Sequence, residues 1–249
     1  MVNDMRIDTE DLTGKHVLEV GSGRGDTTRT LVALLSKYSG TTLTVTDISG
    51  THFQQLQKEF ANQPVRIRFI QTDACSLSGI TSDSKDYVVC NYTLCAINAQ
   101  SGQAALALKR FWDVLRTGGK LFVEEEYPID KKDNPAQGIW SEKWRILKVA
   151  TILRGGFPYN ELPPETLAEM CRAAGFEDIE WSASTTFFPG ASSLDFFNTR
   201  LRRLLQDIPN PHLKQGLSDL ASELTQKVAQ TGGMEIPYYQ LCARKGIYG

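Results

Sequence analysis

The hydrophobic pattern of the first half of the chain alternates between short apolar runs and longer segments with helical periodicity. The runs predict strands at residues 16–20, 41–46, 65–71, 86–91 and 120–124, and the periodic segments predict helices at 26–38, 50–61 and 103–116. In the first helix, Leu31, Leu34 and Leu35 share one face and Asp26 is the expected N-cap. Strands separated by helices form right-handed βαβ units, so the pattern predicts an α/β fold with a parallel sheet.

The second half is less regular. We predict helices at residues 139–153, 163–175, 192–206 and 211–230, and strands at 176–184 and 236–245. The segments 128–162 and 186–234 interrupt the regular alternation, and the second is too long for a bare loop in a compact domain. We therefore expect both to be helical additions to a single domain of residues 1–249, whose core is 15–127, because no repeat or low-complexity linker divides the chain.

Composition narrows the classes of function. The chain has 249 residues with 27 Lys and Arg against 29 Asp and Glu, a formal net charge of -2. A nearly neutral protein lacks the broad positive field of a dedicated nucleic-acid binder, so nucleic acid is disfavoured as a partner.

Cysteine content and the N-terminus indicate the compartment. The five cysteines are odd in number and match no zinc template, so we expect reduced thiols, no metal site and a cytoplasmic protein. The first 13 residues carry Asp4, Asp8, Glu10 and Asp11 and no apolar stretch, which does not fit a signal peptide. No run of 18 apolar residues occurs, so we expect no membrane partner.

A glycine-rich turn follows the first strand, in the order Gly21, Gly23 and Gly25. A strand that enters such a turn and then a helix lets the backbone approach a ligand closely. The dinucleotide fingerprint G-x-G-x-x-G is not met, because Asp26 stands at the position of its third glycine. Glu19, just before the turn, would repel a pyrophosphate but suits a ligand with an ammonium group.

Two more acids end the next strands. Asp47 follows Gly25 by 22 residues, near the roughly 20-residue spacing at which an acid binds ribose hydroxyls. Asp73 ends the third strand, where its carboxylate could accept from an adenine amino group. Because the carboxyl ends of parallel strands meet at one edge of the sheet, these acids are predicted to line one crevice.

Residues 15–126 resemble class I S-adenosylmethionine-dependent methyltransferases of the small-molecule type. The resemblance is carried in order by the motifs at residues 17–25, 46–49, 72–74, 86–91 and 115–120. It implies a seven-stranded, mostly parallel Rossmann-like sheet with helices on both faces, an antiparallel last strand near 238–244 and extra helices over the substrate side. It also implies S-adenosyl-L-methionine as cofactor and S-adenosyl-L-homocysteine as product.

The same resemblance implies roles for individual residues. Gly21, Ser22, Gly23 and Gly25 would contact the methionine portion, Glu19 its ammonium, Asp47 the ribose diol, Ile48 the adenine face, Asp73 and Ala74 the adenine edge, and Asn91 the methionine and sulfur. Each residue taken alone has a structural alternative. Asp73 could cap a helix, Glu19 could pair with a base at the strand end, and the glycines could form only a tight turn.

The acceptor site is less well defined. Methyl transfer needs alignment of the nucleophile and needs a base only if the acceptor must lose a proton. Residues 91–95, Asn-Tyr-Thr-Leu-Cys, are not the Asn-Pro-Pro-Tyr box of amino methyltransferases, which disfavours amino-methylation of nucleic acid or protein glutamine. The weak catalytic candidates are Glu124, Glu126 and Tyr92; for the glutamates a solvated strand end is the alternative.

Aromatic residues suggest where the acceptor binds. Tyr127, Trp140 and Trp144 are candidates for the acceptor pocket, and packing within the core or in a homodimer is the alternative. The favoured function is methylation of a small-molecule acceptor by in-line displacement. A protein or RNA methyltransferase and a non-catalytic S-adenosylmethionine-binding module are the alternatives, since fold alone does not fix function.

Overall fold

The computed structural model describes residues 6–99 and 101–246; Asp4, one of the N-terminal acids above, lies outside them. The strands are β1 His16–Val20, β2 Thr42–Asp47, β3 Arg66–Gln71, β4 Lys85–Asn91, β5 Leu115–Glu126, β6 Phe176–Pro189 and β7 Gly233–Lys245. The helices are α1 Asp26–Leu35, α2 Phe53–Glu59, α3 Leu94–Asn98, α4 Ala104–Val114, α5 Pro135–Leu153, α6 Pro164–Ala174, α7 Asp195–Gln206 and α8 Pro211–Thr231. Short 3-10 helices cover Arg6–Thr9 and Ala191–Leu194.

The strands form one seven-stranded sheet in the order β3-β2-β1-β4-β5-β7-β6. β1 pairs in parallel with β2 and β4, β2 with β3, and β4 with β5. The sheet is mostly parallel with some antiparallel strands, which confirms the predicted fold class. Because β1 to β4 are parallel neighbours, their carboxyl ends reach one edge of the sheet, and the polar residues that follow them meet there.

The chain divides into two compact units. Unit 1 comprises Met1–Glu125, Pro163–Ser182 and Gln240–Gly249, and unit 2 comprises Glu126–Leu162 and Ala183–Tyr239. The core of unit 1 forms where α1 packs on the central strands, and Leu31, Val45 and Val89 are fully buried in it. Strands covered on both faces carry continuous apolar runs, as β4 does.

Unit 2 has a hydrophobic core of its own. Helix α5 packs against α7 and α8, and Trp140 and Phe197 are fully buried in that core. The segments 128–162 and 186–234 supply these three helices, as their length and periodicity predicted. The assignment of the whole chain to one domain stays a prediction.

The start of β5 differs from the prediction. Residues 117–119, with Gly118 and Gly119, separate the predicted helix at 103–116 from the predicted strand at 120–124, a pattern that indicates a turn. They lie within the strand instead, which begins at Leu115 directly after α4. The register with β4 shifts between Lys85 and Tyr87, so residues 116–119 form an irregularity in the strand. Glycine at a bulge is a recurrent feature of strands, and the turn signal of Gly118 and Gly119 was therefore misread.

Several helix boundaries also differ from the prediction, and β6 and β7 are longer than the predicted strands. Asp26 is not the N-cap of α1; Gly25 holds that position with a φ of 91°, and Asp26 is the first helical residue. Its carboxylate lies 3.2 Å from the Arg29 guanidinium. Helices α1 and α2 are shorter than predicted, and α3 was not predicted at all. Across residues 6–99 and 101–246, no helix has the length and apolar character needed to cross a membrane.

Candidate functional site

The glycine loop after β1 combines close packing with open space. A Cβ at Gly21 would lie 2.3 Å from Thr93 Oγ1, and one at Gly25 would lie 2.3 Å from Leu56 Cδ2. A Cβ at Gly23, by contrast, would meet no atom within 4 Å, although its φ is +52°. The loop thus needs glycine at its two ends for packing, whereas Gly23 faces room that a ligand could occupy.

Ser22 adds an unsatisfied polar group to this loop. Its backbone N–H donates to Thr46 O at 3.0 Å, but its buried side-chain Oγ has no hydrogen-bond partner among the described residues. Buried polar atoms are nearly always paired, so an orphaned hydroxyl in this loop fits a site that a polar ligand completes.

Glu19 is a buried carboxylate at the end of β1, with only 1% of its surface exposed. The hydroxyl of Thr28, on α1, donates to both of its oxygens at 3.0 and 2.8 Å. No basic side chain of the described ranges forms an ion pair with it. Burial raises the pKa of Glu19 to about 7; the Thr28 hydrogen bond opposes that shift and the negative charge of Asp47 adds to it.

Asp47, at the end of β2, shapes the loop from the other side. Its Oδ2 accepts from the Gly23 backbone N–H at 2.8 Å, and its Oδ1 accepts from Ser49 N–H at 2.7 Å. The next side chain, Ile48, is apolar and yet 66% exposed. An exposed aliphatic surface beside a carboxylate suits a nucleoside, whose ribose takes hydrogen bonds and whose base takes apolar contact.

Asp73 lies after β3 and is exposed. Its Oδ1 accepts from Cys75 N–H at 2.6 Å and its backbone carbonyl accepts from Leu77 N–H at 2.8 Å, so the residue begins a tight turn. The capping role and a ligand-binding role are compatible, because a carboxylate has about four lone-pair sites. Ala74 follows it and is half-buried.

The end of β4 brings Asn91, Tyr92 and Thr93 beside the glycine loop. Asn91 is half-buried and opposite Glu124 in the register of β4 and β5. Thr93 Oγ1 donates to Gly21 O at 3.3 Å and to Asn91 O at 2.9 Å. The tip of β4 is therefore held against the loop that follows β1.

The three consecutive glutamates at the end of β5 have different environments. Glu124 accepts hydrogen bonds from the Tyr92 hydroxyl and, at 2.7 Å, from Gln240 Nε2. Glu125 is buried and accepts from Leu94 N–H at 2.6 Å, at the start of α3; burial raises its pKa to about 8. Glu126, in unit 2, accepts from the indole N–H groups of Trp140 and Trp144. All three are engaged in bonds, so a solvated strand end does not describe them.

The three acceptor-pocket candidates lie in unit 2 and pack closely. Trp140 is fully buried in the helical core and Trp144 is 9% exposed. The ring of Trp144 lies 5.7 Å from that of Tyr159, and Tyr127 packs edge-on against Tyr239 at 5.3 Å. For Trp140 this burial favours the packing interpretation.

Sequence reasoning missed three side chains that complete these sites, namely Thr28, Thr93 and Gln240. Gln240 is polar within an otherwise apolar stretch, which is the signal that could have found it, whereas Thr28 and Thr93 stand among other polar residues and carry no such signal. Thr28 is 0% exposed and Gln240 9% exposed, and buried polar side chains are expected to have specific partners.

Comparison with known proteins identifies a domain within the chain. Residues 17–119 match the family model described as a methyltransferase domain. A 136-residue stretch is 30% identical to the highly reducing polyketide synthase pspA of Penicillium soppii; it covers 51% of this chain and 5% of that much longer protein.

Solved structures share the fold. BH2331 from Bacillus halodurans C-125, a candidate methyltransferase, aligns with a TM-score of 0.62 at 16% identity and covers 97% of this chain and 96% of its own. Phosphoethanolamine N-methyltransferase 2 from Haemonchus contortus, solved with phosphomonomethylethanolamine and S-adenosylhomocysteine, aligns with a TM-score of 0.55 at 18% identity over 94% of this chain and 49% of its own. The strand order, the glycine loop and the family model agree: residues 17–119 carry a methyltransferase domain, and the chain shares the fold of these solved structures.

Proposed function

We propose that unit 1 binds S-adenosylmethionine along the carboxyl ends of β1 to β4 and that the protein transfers the methyl group to a small-molecule acceptor. The observation that carries the proposal is Glu19, a buried carboxylate beside the glycine loop that has no cationic partner in the described chain. Burying a charge without a counterion is costly, so such a group fits a site whose ligand brings the positive charge. The α-ammonium of the cofactor's methionine portion is that charge.

The remaining residues fit the rest of the cofactor. Ser22 and Gly23 offer an unpaired hydroxyl and open space for the methionine portion. Asp47 offers its carboxylate to the ribose diol, and exposed Ile48 offers an apolar face to the adenine. Asp73 and Ala74 would meet the adenine edge and Asn91 the methionine and sulfur. The Gly21 and Gly25 contacts hold the loop in shape.

The bound cofactor supplies a methyl group on a sulfonium, ready for in-line displacement. The protein's part is to hold it, to exclude water and to align the acceptor atom. A small acceptor is supported by the net charge of -2 and by the absence of the Asn-Pro-Pro-Tyr sequence after β4. Acceptor contacts from Tyr127, Trp144 and the helices of unit 2, and a cytoplasmic location, stay predictions.

Calorimetry with two ligands tests the cofactor site. Glu19→Gln keeps the size of the side chain and its bond to Thr28 but loses the charge. We expect it to weaken S-adenosylmethionine about tenfold or more, because a hydrogen bond to a charged group contributes roughly 1.5–3 kcal/mol. It should leave 5′-methylthioadenosine unchanged, because that ligand has no amino-acid portion. Asp47→Ala should weaken both ligands, because both carry the ribose.

Asp219→Ala, an exposed acid on α8, is the control and should change neither affinity. Equal weakening of both ligands by Glu19→Gln would contradict the role given to that carboxylate. If wild type binds neither ligand, the cofactor assignment of the whole loop fails.

After binding is established, a methyl-transfer assay identifies the acceptor class. Labelled methyl is offered to a panel of small metabolites, with a protein extract and RNA as the comparison substrates.

A further inference from the structure

Tyr92 has an unusual backbone conformation at the end of β4. Its φ is +50°, in the left-handed region that residues other than glycine and asparagine rarely adopt. Such strain persists only where the surroundings impose it, and it concentrates at functional sites. The Tyr92 N–H donates to Glu124 O at 2.7 Å, and the side chain is 42% exposed. The fold therefore holds a strained residue that is exposed to solvent.

The Tyr92 hydroxyl is tied to a buried carboxylate. It donates to Glu124 Oε1, and Gln240 Nε2 donates to the other oxygen at 2.7 Å. Glu124 is only 2% exposed, and none of the ion pairs of the described chain includes it. Burial raises the pKa of Glu124, while the two hydrogen bonds oppose that shift. Of the two hydrogen-bond donors described here for this carboxylate, Tyr92 is exposed and Gln240 is buried.

The tyrosine is also next to the proposed cofactor loop. Thr93 packs so tightly on Gly21 that no Cβ would fit between them, and its hydroxyl donates to the Gly21 carbonyl. Asn91, on the other side of Tyr92, is the residue expected beside the sulfur. Both sequence neighbours of Tyr92 thus lie at the part of unit 1 where the methyl group is predicted to be.

Resting on the proposed function, we propose that Tyr92 is a catalytic residue that receives the proton of the acceptor's nucleophilic atom, with Glu124 and Gln240 as its positioning residues. The acceptors are therefore compounds whose nucleophile carries a proton, such as a hydroxyl, rather than bare lone-pair nucleophiles. The phenol oxygen takes the proton from the acceptor atom, and the phenol proton moves to Glu124 Oε1. The freed electron pair bonds to the methyl carbon, and the carbon–sulfur pair stays on sulfur.

This proton path requires the Tyr92 phenol to lie close to the methyl group of the cofactor. Ligand binding can test that requirement without any acceptor. In sinefungin, an amine-bearing carbon replaces the methylsulfonium of S-adenosylmethionine, so its nitrogen marks the position of the methyl group. S-adenosylhomocysteine has no group there. A hydrogen bond from the amine to the phenol, strengthened by the Glu124 charge, should contribute to sinefungin binding alone.

The experiment compares calorimetric affinities of sinefungin and S-adenosylhomocysteine in wild type, Tyr92→Phe and Glu124→Gln. We expect Tyr92→Phe to weaken sinefungin about tenfold and S-adenosylhomocysteine less than twofold, with Glu124→Gln acting in the same direction. Tyr38→Phe, a half-buried tyrosine after α1, is the control and should change neither. Thermal unfolding of each variant checks that the fold is kept.

Equal loss of both ligands, or loss of neither, would overturn the proposal and leave the Tyr92–Glu124 bond a structural tie. Failure of wild type to bind S-adenosylhomocysteine is a different result, because it removes the cofactor site and this proposal with it. When the acceptor screen yields a substrate, Tyr92→Phe should lower kcat by roughly 10²-fold or more and change KM little.

Discussion

At the scale of single residues, the burial of the Glu19 carboxylate lowers the stability of the protein without ligand at neutral pH. An acid whose pKa is higher in the folded than in the unfolded protein holds a proton that the unfolded chain releases. The unfolded side chain titrates near 4.5 and the folded one near 7. The free energy of unfolding therefore falls as the pH rises from about 4.5 to about 7, by about 3 kcal/mol from this residue alone.

The corresponding prediction concerns the protein without ligand. Glu19→Gln should raise the free energy of unfolding above pH 7 and remove that part of its pH dependence, while it weakens cofactor binding as proposed above. Urea unfolding of both proteins at pH 5, 6, 7 and 8 measures the difference. Glu125, whose pKa is also raised, contributes with the same sign to both proteins and cancels in the comparison. A constant difference between wild type and variant at all four pH values would contradict the buried, titrating state of Glu19.

At the scale of elements, the glycine loop separates packing from ligand access. We expect Gly21→Ala to cost a few kcal/mol of unfolding free energy, because its φ of +79° is strained for alanine and its Cβ would overlap Thr93. Gly23→Ala should cost only about 1–2 kcal/mol from its positive φ, yet weaken S-adenosylhomocysteine strongly, because its Cβ would fill the open space.

Chemical unfolding measures the stability of these glycine variants and calorimetry measures their ligand affinity. Two further variants serve as controls. Gly14→Ala has a φ of +70° and nothing within 4 Å of its Cβ, so it reports the backbone strain alone and should leave ligand affinity unchanged. Adding Thr93→Gly to the Gly21→Ala variant should recover part of the stability that Gly21→Ala loses, because it removes the overlapping side chain. If Gly23→Ala bound S-adenosylhomocysteine as wild type does, the space before Gly23 would not be the cofactor site.

The same elements show what a sequence can and cannot predict. The strand at 16–20 was predicted to the residue, because the apolar residues Val17, Leu18 and Val20 lead directly into a glycine-rich turn that ends the strand. The bulge at 116–119 was misread, because a glycine pair is the same local signal in a turn and in an irregular strand. The bond between Tyr92 and Glu124 joins residues 32 positions apart, and only the register of β4 with β5 brings them together.

At the scale of the whole molecule, the two units enclose separate cores, and the proposed cofactor residues all belong to unit 1. A ligand that binds only the folded state stabilises every segment that unfolds together with its binding site. At a ligand concentration of a hundred times Kd, the free energy of unfolding rises by about 2.7 kcal/mol. The slowest-exchanging amides of a cooperative unit report its global unfolding, so hydrogen exchange shows which segments share that gain.

We therefore expect S-adenosylhomocysteine at a hundredfold excess over its Kd to slow exchange most in β1, β2 and β4. The slowest amides of α8, which belongs to the core of unit 2, should gain less protection against exchange. The reason is that this core can open while the ligand stays bound. Mass spectrometry of peptides from both units, with and without ligand, measures the two gains. Equal gains in β1 and α8 would mean that the chain unfolds as one cooperative body despite its two cores. A gain confined to α5, α7 and α8 would instead move the cofactor site out of unit 1.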